Sequence, residues 1–266
     1  MSELCLKVLD GRGQTLAVGR GTDEACLVFT REYQEGDLIL FQSSETGQYI
    51  WLQFDDALGK TLVYVTGLVF FRIPFGERCD SLSPKAFQGK KHLICARAAR
   101  DFEIDSYRNL AVNIYDQNNS QNLYPHATAN VETRDEAVFA ARNAIDGITV
   151  TDCHGEWPYG SWGINRQDDA KFRIDFGTDV AIDRIILYTR ADFPHDNWWN
   201  RVSFTFSDGS ELDWELQKGG MAQEIRFEEK RVNWLEMHDM KKADDPSPFP
   251  ALSQIEVYGR PCRTGS

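Results

Sequence analysis

Apolar residues come in short bursts along this chain, with turn chemistry between them. Runs 4–9, 25–29, 38–42, 49–54 and 61–65 are rich in Val, Ile, Leu, Phe and Tyr, and Asp10-Gly11, Gly36-Asp37, Thr46-Gly47 and Gly59-Lys60 separate them. Each run is short enough for one strand, and the Gly and Asp pairs supply the backbone freedom a reversal needs. Runs 92–97 and 107–115 continue the pattern. In 170–176, Phe172, Ile174 and Phe176 alternate with Lys171, Arg173 and Asp175, the period of a strand with one buried face. Further strands are expected at 182–188, 202–206, 225–227, 232–237 and 254–258. Ser207-Asp208-Gly209-Ser210 lies between Phe204/Phe206 and Leu212/Trp214 and predicts a hairpin. Residues 136–145, with Ala137, Ala140, Ala141 and Ala144, are the clearest helix candidate, and Ser83-Pro84-Lys85 starts either a short helical turn or a loop. Many short strands with Gly turns indicate an all-β protein of antiparallel β-sandwich, jelly-roll type. Residues 116–122 contain no apolar side chain and read as a linker, which predicts two domains, 1–118 and 123–266.

Length and charge narrow the partners. At 266 residues the chain can bury two cores. Its net charge is −12; residues 1–120 carry 13 basic against 16 acidic side chains, and the remainder 16 against 25. An acidic surface repels phosphate backbones and anionic lipid, so nucleic acid is excluded as an expected partner and neutral ligands and cations fit better. No run approaches ~18 consecutive apolar residues, so no membrane insertion is expected. No leader is visible before Arg12. The six cysteines are scattered without a C-x-x-C pair, so reduced thiols and a cytoplasmic protein are expected as written, extracellular if a leader has been removed.

Candidate chemistry concentrates in 190–201. Within twelve residues this segment supplies Arg190, Asp192, His195, Asn197 and adjacent Trp198 and Trp199. A sugar presents hydroxyls to directional donors and C–H faces to aromatic rings, so a site for one needs convergent polar groups beside an exposed ring. If the backbone is extended, one of the two tryptophans at most can point inward. A second aromatic loop holds Trp157 and Tyr159 between glycines and a proline, open to a ligand role. Trp214 and Trp234 sit in strand patterns and are expected in the core.

Several pieces stand in a telling order: Ala144-Ile145-Asp146-Gly147, Trp162, residues 172–177, residues 182–187, Ser207-Asp208-Gly209, residues 232–235 and residues 252–259. Together, over about half the chain, they resemble the discoidin (coagulation-factor type C) domain of the galactose-binding-like fold and the family 32 carbohydrate-binding modules. The resemblance implies a non-catalytic carbohydrate-binding protein. It places Arg190 and Asn197, seven residues apart, on ring hydroxyls, makes Phe249 the stacking ring, and makes Trp162 structural. The early-loop His common in the family is not matched; Arg142 lies near its place. It also implies a structural calcium ion (Ca2+), with side chains from Asp146 and Thr151, carbonyls from Asn143 and Ile148, and further oxygens from Ser253 and Gln254. At Gln254 an amide stands where the family has a carboxylate, which weakens the site. Residues 1–118 carry no comparable resemblance.

Two rival functions follow from the same residues. A small carbohydrate-active enzyme would place two carboxylates in a cleft between the domains, with Glu156, Asp192 and Asp196 beside His154 and His195 as the place to look. A protein-interaction module, with a protein partner or a second copy of the chain, would use the aromatic loops as a hot spot. An enzyme needs a buried carboxyl of raised pKa in a cleft; a binding module needs an open groove with a ring in it.

Overall fold

The structure is a computed structural model that describes residues 1–153, 155, 157–190 and 197–262. It contains two antiparallel β-assemblies, each around its own hydrophobic core. The first half supplies β1 (Glu3–Leu9), β2 (Thr15–Thr22), β3 (Glu24–Phe29), β4 (Leu38–Ser43), β5 (Gln48–Gln53), β6 (Thr61–Val65), β7 (Val69–Arg72) and β8 (His92–Ala98). The period-2 pattern works as expected here: Leu4, Leu6 and Val8 of β1 and Ala25, Leu27 and Phe29 of β3 point inward. Strands β2-β1-β4-β7 form one sheet. Strands β6-β5-β8-β3 form the other, with β10 (Leu123–Tyr124) added at the β6 edge.

The second half is an eight-stranded network. After β9 (Arg108–Asn109) and β11 (His126–Ala129) come β12 (Trp162–Gly163), β13 (Phe172–Thr189), β14 (Trp199–Phe206), β15 (Glu211–Glu215), β16 (Gln223–Lys242) and β17 (Ala251–Pro261). The main order is β12-β17-β13-β16-β14-β15, with β11 on β13 and β9 on β17. Runs expected as separate strands, 170–176 with 182–188 and 225–227 with 232–237, are continuous. Register shifts inside β13, between Asp175 and Val180 and between Ile182 and Arg184, keep one long strand facing the core. Phe172, Ile174, Phe176, Val180 and Ile182 point inward, then the phase slips by one and Ile185 and Leu187 do. Gly177 (φ +69°) turns the first corner, where the Tyr124 ring occupies the space a Cβ would fill. The hairpin at 207–210 forms as expected, closing β14 on β15.

Four expectations are corrected. Residues 136–145 are not an α-helix. The region is three 3₁₀ turns, Thr133–Asp135, Ala137–Phe139 and Ala141–Ile145, broken by Ala140 at φ −71°, ψ 150°. The break lets Ala141, Ala144 and Ile145 enter the core, a tertiary gain that overrides alanine's helix propensity. Run 107–115 is a strand only at Arg108–Asn109. Trp234 is not core: Leu235 takes the inward position, and Trp234 lies on the outer face under the Arg173 guanidinium, 3.9 Å from the ring centroid. The polar run 116–122 is not a free tether. Gln117 exchanges hydrogen bonds with the backbone of Arg72, and the Asn122 amide donates to the Leu68 carbonyl.

The chain crosses between the two cores more than once. Leu110 and Ala111 belong to the second core, Tyr115 and Leu123 to the first, and Ala127 to the second again. The Asn113 side chain donates to Pro125 O (2.8 Å) and accepts from Tyr115 N (3.1 Å). The buried Asp116 carboxylate accepts from Ala127 N (2.9 Å) and pairs with His126 Nδ1 at 2.7 Å. Arg142 donates to Asp116 O, Ile114 O and Ser81 Oγ, so one guanidinium joins both halves.

Burial pulls the His126 pKa down, but the Asp116 hydrogen bond and charge outweigh it and leave it raised above 6.5. A raised imidazole pKa gives stability that is fully present below the unfolded-state value and is lost as pH rises through the folded one. Unfolding free energy is therefore expected to fall from about pH 6.5 upward, and denaturant melts at several pH values should show that part of the slope vanish in His126→Gln.

Candidate functional site

Three chain segments meet at one end of the second assembly because of how β17 is paired. Its first residue, Ala251, lies opposite Gly163 of β12 and accepts a hydrogen bond at its carbonyl from Arg190 N (3.0 Å), just beyond the end of β13. Phe249 and Pro250 therefore sit between Arg190 on one side and Ile164, Asn165 and Arg166 on the other. The 3₁₀ segment roofs this junction. Thr133 Oγ1 accepts from Asn165 N (2.9 Å), Trp162 Nε1 donates to Val131 O (2.9 Å), and Ser161 N donates to Val138 O (3.0 Å). Gly163 must stay glycine: a Cβ there would lie 2.6 Å from Thr133 Oγ1.

The result is an open cavity of about 150 Å³. Its described lining includes three arginines, Arg134, Arg166 and Arg190, and no Asp or Glu. Each arginine is held against a ring: Arg166 over Phe249 at 4.5 Å, Arg190 over Tyr159 at 4.5 Å, Arg134 over Phe139 at 5.6 Å. Arg134 also makes a bidentate pair with Glu136 on the exposed side. The backbone is unusual here. Arg134, Asp135, Asn165 and Arg166 have φ of 54°, 54°, 47° and 62°, a left-handed conformation that costs non-glycine residues energy and is held by surrounding structure.

The candidate ligand residues divide. Arg190 is buried (2% exposed), half-buried Phe249 lies near it, and both line the cavity. Asn197 does not join them. Its amide donates to Ala243 O (3.1 Å) and Ser247 O (2.9 Å) and accepts from Trp198 N (2.7 Å), so it is a buried tie for the 243–247 loop with no donor left for a ligand. Trp198 is half-buried beneath Lys218 Nζ, 4.7 Å from its centroid, and is not part of the cavity wall. Trp199 is fully buried against Trp162, which satisfies the one-in, one-out constraint. Trp157 is exposed and does not line the cavity, whereas Tyr159, expected to be open, is buried as the platform for Arg190. His154, Glu156, Asp192, His195 and Asp196 lie outside the described residues. Sequence reasoning missed Arg134, Phe139, Asn165 and Arg166. Nothing local in the sequence marked them, because the cavity brings together segments distant in the chain.

The calcium ligand set fares poorly as a cage. Asp146 is its only carboxylate; burial pushes it up to about 7, partly opposed by the positive charge of Arg142 and the Ile148 N–H. Gln254 Oε1 is already accepting from Gly147 N (3.1 Å). The carbonyls expected of Asn143 and Ile148 bring no negative charge, while Ser253 is buried in β17 and Thr151 is half-buried. Calcium wants about six to eight hard oxygens with several negative charges. One carboxylate beside a guanidinium does not fit it, and among the described residues no group of three or more His, Cys, Asp or Glu side chains is placed to hold a metal.

The model of a family described as "Domain of unknown function (DUF7402)" matches residues 122–258. No curated protein matches the chain. Among solved structures, the chain is similar to chitosan-binding module 1 of a chitosanase/glucanase from Paenibacillus sp. IK-5 (21% identity, 57% of this chain, 98% of that one, TM-score 0.41). It is also similar to the fucose-binding module SpX-3 of Streptococcus pneumoniae (15%, 56%, 96%, 0.41). A third similar structure is the family 32 carbohydrate-binding module of C. perfringens NanJ in complex with galactose (16%, 50%, 91%, 0.39).

Two outcomes check this geometry. Trp199→Ala should cost about 3–5 kcal/mol of stability in denaturant melts, the range for emptying a packed aromatic site, whereas Trp198→Ala should cost about 1–2 kcal/mol, the range for a half-buried ring–ammonium contact. The parent Tm is expected to be the same with chelator and with calcium, whereas Gln254→Glu should show a lower Tm in chelator, from two carboxylates close together, and a rise with added calcium.

Proposed function

We propose, from the premise that this chain belongs to the DUF7402 family, that its C-terminal assembly is a non-catalytic carbohydrate-binding module whose ligand sits in the Arg190–Phe249 cavity. The observation that carries the reading is the make-up of that cavity. Guanidinium, amide and hydroxyl groups from Arg190, Arg166, Asn165 and Thr133 converge beside the rings of Phe249 and Phe139, each of which carries an arginine over one face. That combination matches a sugar, whose hydroxyls need directional partners and whose ring faces cover apolar surface. The similar modules from Paenibacillus, S. pneumoniae and C. perfringens are described as chitosan-binding, fucose-binding and galactose-complexed. The same ligand class is carried to this chain on its own cavity chemistry.

An enzyme is the weaker reading for a specific reason. Among the described residues, the carboxyls that burial pushes upward are Asp55, Asp146 and Glu256, and none lines this cavity. None lines the second cavity either, of about 220 Å³, which is formed by Trp51, Arg97, Glu103 and neighbours within the first half of the chain. Among the described residues, therefore, neither place offers the proton donor of raised pKa that glycoside cleavage requires; Glu156, Asp192 and Asp196 lie outside them.

A glycan array probed with the whole chain tests the proposal. The parent should retain a defined set of glycans, and Phe249→Ala should weaken that binding roughly tenfold or more, about 1.4 kcal/mol, with Tm little changed. Retention of no glycan by the parent, or binding that survives Phe249→Ala and disappears in Trp198→Ala, would remove the cavity from consideration.

A further inference from the structure

Among the described residues, the charged side chains that line the cavity are opposite in sign to the net charge of the chain. The protein carries −12 overall, yet the described cavity wall holds three arginines and no acidic side chain. Glu136 neutralises Arg134 on the exposed side. Arg166 is exposed, and its guanidinium packs over the Phe249 ring. That stack changes what Phe249 can do. With a guanidinium 4.5 Å from its centroid, one face of the ring is covered, so on that face the ring supports an arginine and cannot receive a sugar. A guanidinium whose carbon packs over a ring, as the 4.5 Å distance places Arg166, keeps N–H donors at its edge, and neighbouring ones form a fork. Such a fork matches the two oxygens of a carboxylate or sulfate better than a single hydroxyl, and a charged acceptor strengthens each bond. The packing of the guanidinium over Phe249 restricts the side chain before a ligand arrives, which lowers the freedom lost on binding.

We infer that this cavity selects glycans bearing an anionic group, a ring carboxylate or sulfate, over their neutral counterparts, with Arg166 on Phe249 as the recognising element. This rests on the carbohydrate reading above and names the substrate class of the same site.

The test compares four probes on the full chain: oligosaccharides of galacturonic acid, their methyl esters, 6-sulfated galacto-oligosaccharides and unsulfated ones. Titration at low salt should give roughly tenfold or tighter binding of an acidic probe than of its neutral partner. The gap should narrow near 1 M sodium chloride, where the screening length is ~3 Å. The carboxylate and sulfate arms show which anion is preferred, and preference for either supports the inference. Arg166→Gln should remove the preference, and Arg166→Lys, which keeps the charge without the fork, should retain only part of it. Because Arg166 is exposed, both variants should melt like the parent. Equal or tighter binding of the neutral probes overturns the inference and leaves the carbohydrate reading standing. Failure of all four probes, with no other glycan retained on the array, overturns both.

Discussion

A polypeptide that runs back and forth between two apolar cores has to satisfy its own backbone where water cannot reach, and everything at the ligand end depends on how this chain does so. Asn113 and Asp116 turn their side chains onto the crossing strands, and Arg142 caps the carbonyls of Ile114 and Asp116. Removing either partner of such a contact strands a buried polar group, which costs more than the bond was worth. Arg142 also grips Asn143, whose amide holds the carbonyls of Ala137 and Ser161. Those bonds set the path of residues 133–145, and that path places Thr133, Arg134 and Phe139 over β12. The seam between the cores and the roof of the cavity are thus one hydrogen-bonded structure.

The cavity is stiff in a way a surface loop seldom is. Its arginines rest on rings, its backbone holds four left-handed non-glycine residues in two short stretches, and its floor is the start of β17. Strain of this kind persists only where neighbours over-determine it. Here the neighbours are Trp162, Trp199 and the paired strands beneath.

What the sequence made legible was governed by local period. Phe172, Ile174 and Phe176 announce a strand with one wet face, and Ser207-Asp208-Gly209-Ser210 announces its turn, because both signals act within a few residues. Signals that depend on distant partners were not readable. Four alanines spaced like a helix fold as 3₁₀ turns because the second core takes Ala141, Ala144 and Ile145. A polar run that looks like a tether is polar because it bonds to both halves. Asn197 has the right type and spacing for a ligand, but two carbonyls nearly fifty residues away claim its amide. Arg190 and Phe249 were found because family spacing places them; Arg166 was not, because nothing local distinguishes an arginine that stacks from one that waves in solvent.

The pairing of β9 with β17 sets the heritable unit and the folding unit out of step. The family match opens at residue 122, yet the hydrophobic interior it describes is completed by Leu110 and Ala111, and its last long strand bonds to Arg108 and Asn109. Conversely, Leu123, inside the match, is packed in the other core. Each half borrows a piece of chain from the far side of the seam, so a recombination event that cut at the match boundary would hand its new host an unsealed edge. Descent of the two halves as a pair is the arrangement this stitching favours.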